Sequence, residues 1–317
     1  MASIAEIKRC VNLRNYGKNE AVWDIHKASA DTVSNLYRAF GTSEQDEKKS
    51  HRIKQCAGYI SFAWFQVGNE KKFHLVEAHF CRARSCPICA WRRSLMLKAR
   101  FANNIINILY DYPKARFIFL TLTVENVPVS ELRDTLKDMN RAFKRMYESK
   151  RMENDVLGFI RNVEVTRDTK RPDYCHPHFH IIIMVKSTYY SISGHYINQK
   201  EFTEMWKKAL RVSYNPIVHV KTIKKQTDIN QTVKELFKYC IKEQDILNDV
   251  WYIDVMRQLH HTRAISTSGV LKDVVKEIQD TTDSEMIHLN DSSIAERISE
   301  NLNYKWNRPI KKYRLDK

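Results

Sequence analysis

"CHPHFHIIIMV", residues 175–185, is the stretch on which the reading of this chain turns. In an extended strand successive side chains point to opposite faces. His176, His178 and His180 therefore share one side, and Pro177, Phe179, Ile181, Ile183 and Val185 share the other. The apolar face can bury. One histidine alone would pass for a surface residue of an edge strand, but three at alternate positions, backed by an apolar face, argue for a metal site.

Working outward, strands are predicted at "RFIFLTLTV" (116–124), "GFIRNVEVT" (158–166), "HFHIIIMVK" (178–186) and "PIVHVKTI" (216–223). Helices are predicted from Ser130 to Glu148, Gln199 to Arg211 and Asn230 to Gln244. The order βαββαβα implies an α+β fold: a central antiparallel sheet with helices on one side and the other face uncovered. In "GFIRNVEVT", Ile160, Asn162, Glu164 and Thr166 share a face, so Glu164 can meet the histidines if the two strands pair. The connection "RDTKRPDYC" is too irregular to fix the register. The ligand that joins His178 and His180 stays open between Glu164 and His176.

In "INQTVKELFKYCIKEQ" (229–244), about 100° per residue gathers Val233, Leu236, Phe237, Cys240 and Ile241 on one apolar face. Glu235, Tyr239 and Lys242 gather opposite. A phenol becomes a useful nucleophile when a metal polarises a phosphodiester. Glu235 could then accept its proton or activate a water, and Lys242 could neutralise charge on the phosphate.

A third constellation lies in "HFCRARSCPICAWRRS" (79–94), with the CxxC pair Cys86 and Cys89, Cys81 five residues earlier, and Cys56 further upstream. Four thiolates of this kind suit a structural Zn²⁺, with His79 as the substitute for Cys56. Cys10, Cys175 and Cys240 read as free thiols.

The chain has 317 residues, 43% of them hydrophobic, enough for one large domain or two ordinary ones. Lys and Arg number 53 against 37 acids, densest in "RARSCPICAWRRSLMLKAR" and "VKTIKK", so a polyanion is the expected partner and a small-molecule hydrolase is disfavoured. Arg82, Arg84, Arg92 and Arg93, with Thr121 and Thr123, are the candidate DNA contacts. No apolar run suits a membrane span, and "MASIAEIKRC" lacks the core of a signal peptide, so a cytoplasmic protein with reduced cysteines is expected. The expected divisions are an N-terminal arm (1–50), a Cys-rich basic zinc-binding segment (51–113), a catalytic domain (114–245) and a C-terminal accessory segment read as a helical tail (246–317).

Together these pieces resemble the rolling-circle replication initiators of small Gram-positive bacterial plasmids, in the HUH endonuclease superfamily. "FLTLT" (119–123) resembles the first motif and "HPHFH" (176–180) contains the His-hydrophobic-His motif. "YCIK" (239–242) matches Tyr-x-x-Lys, and "ELFKY" (235–239) matches the single-tyrosine branch with a glutamate four residues before the tyrosine. The resemblance spans roughly Arg52 to Gln244. It implies a nickase that opens one strand at the plasmid double-strand origin through Mg²⁺ or Mn²⁺. The products would be a 5′-phosphotyrosyl link on Tyr239 and a 3′-hydroxyl primer, and a second cleavage assisted by Glu235 would end the round. It also implies a host helicase and replicative polymerase as partners, and admits a dimer. A transposase or mobilisation relaxase would share the chemistry, with a second tyrosine close by or a large extra domain. A non-catalytic nucleic-acid-binding module would instead show exposed aromatics on its central strands.

Overall fold

The computed structural model describes residues 12–13, 18–223, 226–237, 241, 245–246, 250–274, 282–289 and 296–316. The chain divides into two compact units. One comprises Met1–Met96, Asn248–Val250 and Ile278–Lys317, the other Leu97–Leu247 and Trp251–Glu277.

The chain begins with helices α1 (Lys18–Phe40) and α2 (Glu44–Gln55), the hairpin β1 (Tyr59–Val67) and β2 (Glu70–Ala78), and helix α3 (Pro87–Asp111), within which the boundary between the units falls. Ser43 caps α2 by accepting the Asp46 N–H at 3.2 Å, which satisfies a backbone donor that the first turn leaves over. Then follow β3 (Arg116–Thr123), the short β4 (Val127–Pro128), α4 (Leu132–Tyr147), β5 (Val156–Arg167), β6 (Tyr174–Val185), α5 (Gln199–Leu210), β7 (Val218–Ile223) and α6 (Gln226–Leu236). Without β4 and isolated helical turns, this is the βαββαβα order expected. After it come α7 (Trp251–Gln258), β8 (Ile265–Gly269), α8 (Asp283–Ile287), β9 (Glu296–Arg297), β10 (Leu302–Asn307) and β11 (Lys312–Leu315). The C-terminal stretch is therefore not simply the helical tail expected: strand β8 lies between helices α7 and α8, and strands β9, β10 and β11 follow, whose pairing partners lie far away in sequence or in one another. Among the described residues no helix is long and apolar enough to cross a membrane.

In the first unit the strand order is β11-β10-β1-β2, with β9 also pairing β1, and every pairing is antiparallel. Its core is aromatic. Trp23 of α1 meets Phe62, Trp91 and Tyr313 edge-on, and Trp306 packs on Tyr313.

In the second unit the order is β7-β3-β6-β5-β8, again antiparallel throughout, with β4 against the start of β6. Helices α4 and α5 cover the face that carries Phe159 and Phe179: Phe143 meets both rings edge-on, and Trp206 lies 6.5 Å from Phe179. The buried Arg161 spreads its guanidinium over Phe143 and Phe179, at 4.9 and 4.2 Å.

The opposite face is not left open, contrary to expectation. Helix α6 folds back against β6 and β7, and Phe237, just beyond it, meets Phe101 of α3. Phe117, Ile160, Ile182 and Met184, on the histidine side of the sheet, are buried. The physical reason is that α6 has an apolar face of its own, with Val233, Leu236 and Phe237 all buried, and needs a surface to cover it.

Strand β8 seals the edge of β5, with Gly158 opposite Gly269. Gly269 has φ +60°, and a Cβ there would stand 2.0 Å from the Leu157 carbonyl oxygen. Both the backbone conformation and the close approach require glycine. Gly269→Ala is expected to destabilise the protein by about 2 kcal/mol or more, read as a lower urea midpoint by circular dichroism.

Candidate active site

The site begins with the register of β5 against β6. Glu164 stands directly opposite His178, Asn162 opposite His180 and Thr166 opposite His176. Cross-strand partners point to the same side, so Glu164 is delivered among the histidines. Its Oε2 lies 3.1 Å from His178 Nε2 and 2.7 Å from His180 Nε2. All three side chains are buried, and their ligand atoms lie within 4.8 Å of one another. Burial alone would raise the Glu164 carboxyl. Hydrogen bonds from His178 and His180, and their charge, outweigh it and hold the group well below the usual carboxylate range.

The far side of each imidazole is also held. His180 Nδ1 is 3.2 Å from Thr121 Oγ1, and His178 Nδ1 is 3.3 Å from the His176 carbonyl. The Phe119 ring stacks on His180, with centroids 5.6 Å apart. Outer partners of this kind fix ring orientation and leave both Nε2 atoms free to converge. Two imidazoles and one carboxylate suit a divalent cation that favours nitrogen and oxygen donors. The group can hold a metal ion.

His176 lies outside this group. Its Nδ1 is 2.6 Å from Asn126 Oδ1, and Asn126 in turn donates to Asp168 at 2.6 Å. Burial, reinforced by His178, lowers the His176 pKa against the opposing pull of Asp168.

Asn162 was not singled out from the sequence. Its Nδ2 donates to the Leu236 carbonyl at 2.7 Å and fastens the last turn of α6 beside His180. A buried amide on a central strand needs a partner, and that was the available signal. Glu235 is half-buried on α6, four residues before Tyr239 in the sequence. Tyr239 and Lys242 lie outside the described residues, as do Cys10 and Cys240. Cys175 is buried, which pushes its thiol up to about 12.

In the first unit Cys56 follows α2, Cys81 follows β2, and Cys86 and Cys89 bracket the start of α3. Their sulfurs lie within 4.8 Å of one another, with Cys56 to Cys89 at 3.5 Å and Cys81 to Cys89 at 3.6 Å. A tetrahedral ion with sulfur at about 2.3 Å sets sulfurs about 3.8 Å apart, so the donor set fits one. Hydrogen bonds from the other three thiols hold Cys81 well below the thiol range, while burial and those same neighbours push Cys86 up. His79 is exposed, with its Nδ1 3.5 Å from Asp283 Oδ2 and outside the cluster, leaving Cys56 as the fourth member.

Arg92 and Thr123 do not fit the expected DNA contacts. Arg92 is buried over Trp23 and Trp91 and donates to the Met286 carbonyl at 2.8 Å. Thr123 is buried and donates to the Ile217 carbonyl at 2.9 Å. The long Arg92 side chain serves packing because its apolar stem and flat head suit indole faces. Arg82 is exposed and paired with Asp283 at 3.0 Å, Arg93 donates to the Arg82 carbonyl, and Arg84 is half-buried.

A family model described as "Replication protein" matches residues 72–314. The chain is 31% identical over 261 residues to "Protein rep" of Streptococcus pneumoniae serotype 2, covering 81% of this chain and 79% of that protein. It is 33% identical over 301 residues to "Protein rep" of Bacillus amyloliquefaciens, covering 84% and 85%. With a "Replication protein" of Staphylococcus aureus it shares 33% over 222 residues, covering 66% and 94%. No solved structure matches the chain significantly.

The geometry separates Glu164, which touches both His178 and His180, from His176, which bonds Asn126 instead. With Mn²⁺ as the probe, chosen because it avoids thiolates, Glu164→Gln is expected to weaken binding by about tenfold or more, whereas His176→Ala stays within about threefold. Titration followed by the paramagnetic resonance of free Mn²⁺ reads both. Equal losses in the two variants would place His176 among the ligands.

Proposed function

Because the chain belongs to the replication-protein family, we propose that it initiates plasmid replication by nicking one strand of origin DNA, with Tyr239 as nucleophile. The observation that carries this reading is the convergence of Glu164, His178 and His180, with the end of α6 tied to Asn162 beside them. Tyr239 follows Leu236 by three residues. At no more than about 3.6 Å per residue, the chain cannot carry it far from that anchor.

Glu164, His178 and His180 would hold Mg²⁺ or Mn²⁺, which when bound polarises the scissile phosphate as a Lewis acid. The Tyr239 oxygen forms a bond to phosphorus while the bond to the 3′ oxygen breaks. The phenolic proton passes to Glu235 or to water, and the 3′ oxygen is protonated as it leaves. The DNA then carries a 5′-phosphotyrosyl link and a 3′-hydroxyl for the host polymerase, working with a host helicase. Lys242 neutralises charge on the phosphate. Because ester exchange conserves the phosphodiester, the ends can be rejoined without ATP. With Tyr239 already esterified, the closing cleavage falls to a water activated by Glu235.

Cys56, Cys81, Cys86 and Cys89 would hold Zn²⁺, which ties the end of α2, the end of β2 and the start of α3 into one structural knot. Metal analysis of the purified protein should find about one zinc per chain, and Cys89→Ser should lose it together with thermal stability. Full retention of zinc in that variant would remove the cluster from the reading.

The nicking chemistry is tested by incubating the protein with supercoiled plasmid carrying its own gene and origin, with Mn²⁺ or EDTA, and quenching with SDS. A metal-dependent covalent adduct is expected that Tyr239→Phe abolishes, while Glu235→Ala still nicks but fails to end the round cleanly. Binding without any adduct would reduce the chain to a DNA-binding protein. Normal termination by Glu235→Ala would remove that residue from the closing step.

A further inference from the structure

We propose that an open strip of the sheet beside the metal group is the track along which the strand to be nicked reaches it. His219 and Lys221 on the edge strand β7 form the rim of this strip, and Phe119 and Thr121 on β3 form its floor. The identity of the strand rests on the nicking reading above; the strip's place in the fold does not.

The register puts the strip on the histidine side. His219 stands opposite Thr121, Thr121 opposite His180 and His180 opposite Asn162, in one row across β7, β3, β6 and β5. In the next row Lys221 stands opposite Phe119, Phe119 opposite Ile182 and Ile182 opposite Ile160. Cross-strand partners share a face, so all four side chains lie on the side that carries Glu164, His178 and His180. Neither row contains an acid.

Helix α6 leaves this part of the side uncovered. Ile160, Ile182 and Met184 are buried, whereas Phe119 and Thr121 are half-buried and His219 and Lys221 are exposed. The other side of β3 is closed, with Ile118, Leu120 and Leu122 buried. On β3 the opening is therefore confined to the histidine side.

The floor of the strip also supports the metal group. Phe119 stacks on His180, and Thr121 Oγ1 lies 3.2 Å from His180 Nδ1. A ligand lying on Phe119 and Thr121 thus touches the groups that orient His180.

The rim is unspent. Neither Lys221 nor His219 is ion-paired among the described residues. Strands about 4.8 Å apart put β7 about 10 Å from β6. At about 3.4 Å per phosphate in a stacked strand, that is about three nucleotides. A lysine and an imidazole at this distance suit the backbone of a strand whose scissile phosphate lies at the metal group, and the half-buried Phe119 ring between them suits the face of a base. A lysine on a sheet edge also guards against pairing with another chain, but that role predicts no change in DNA binding when its charge is removed.

The full-length protein carrying Tyr239→Phe, which forms no adduct, serves as the parent. It is titrated with a fluorescent single-stranded origin oligonucleotide at several salt concentrations, with Mn²⁺ present and no chelator, so that zinc is not stripped from the four cysteines. Lys221→Ala should reduce the slope of log affinity against log salt by about 0.7 and weaken binding about fivefold at about 0.1 M salt. His219→Ala should weaken it about threefold, and Lys221→Arg, which keeps the charge, should bind like the parent. Both residues are exposed, and unchanged circular dichroism and zinc content in the variants exclude loss of fold as the cause. Parent slopes and affinities in Lys221→Ala and His219→Ala would overturn the track.

Placement is read with the same oligonucleotide carrying single methylphosphonate linkages. The neutral linkage that weakens the parent but not Lys221→Ala should lie within about three nucleotides of the nick; one further away would overturn the placement. If the protein with Tyr239 intact forms no adduct, the nicking reading fails, while the salt slopes still decide whether the strip holds a strand.

Discussion

The antiparallel register of Val156–Arg167 against Tyr174–Val185 is the constraint on which the second unit depends. Side chains on a strand alternate with a period of two, so a slip of one residue would send Glu164 to the face occupied by Phe143, Phe159 and Phe179. The same slip would bring Arg161 to the histidine side and strand an unpaired cation there. The two faces are chemically unlike, one aromatic around a single guanidinium and the other built from imidazole, carboxylate, hydroxyl and amide, so only one register satisfies both. The turn at Asp168, whose carboxylate accepts the backbone N–H groups of Lys170 and Arg171 and the Asn126 amide, supports the same choice locally.

Covering the histidine face changes what that face can do. A carboxylate and two imidazoles on an open sheet would compete with bulk water for any cation or phosphate. Beneath α6, with Asn162 holding the Leu236 carbonyl and Thr121 against His180, the polar atoms are directed by protein partners. Fixed dipoles in a site of restricted solvent access act more strongly than the same groups in water, and need no rearrangement when charge develops. The bond from Asn162 to Leu236 therefore links packing to chemistry. It anchors the helix that covers the sheet and begins the tether to Tyr239.

Strands β3, β5, β6 and β7 of the second unit were legible because each is a run rich in β-branched and aromatic residues; β4, only 2 residues long, and β8, short and largely polar, were not. The face of Glu164 was legible from the alternation of side chains along β5. The register was not, because the connection from Asp168 to Asp173 is held by side-chain bonds of Asp168 and Asn126 that no periodicity reveals. Strands β10 and β11 were missed because they are short and mix cations with aromatics, and β10, on which β11 pairs, finds its own partner β1 more than two hundred residues earlier in the chain. Pairing at that distance is a tertiary fact, and local propensity carries little of it. Arg92 was assigned to the surface by its charge, which says nothing of the indole rings that receive it.

The third histidine shows where strand geometry alone could have decided. Each two-residue step along a strand advances about 6.7 Å, so a point midway between His178 and His180 lies about 10 Å from the level of His176. An imidazole cannot span that interval without bending the strand, whereas Glu164, directly across from His178, reaches both neighbours. Alternation therefore fixes which side His176 faces but also keeps it apart from the cluster of Glu164, His178 and His180. What it gains instead is Asn126, and through Asn126 the acid that shapes the adjoining turn. A single repeated residue type along one strand thus serves two different surroundings, separated by one step of the pleat.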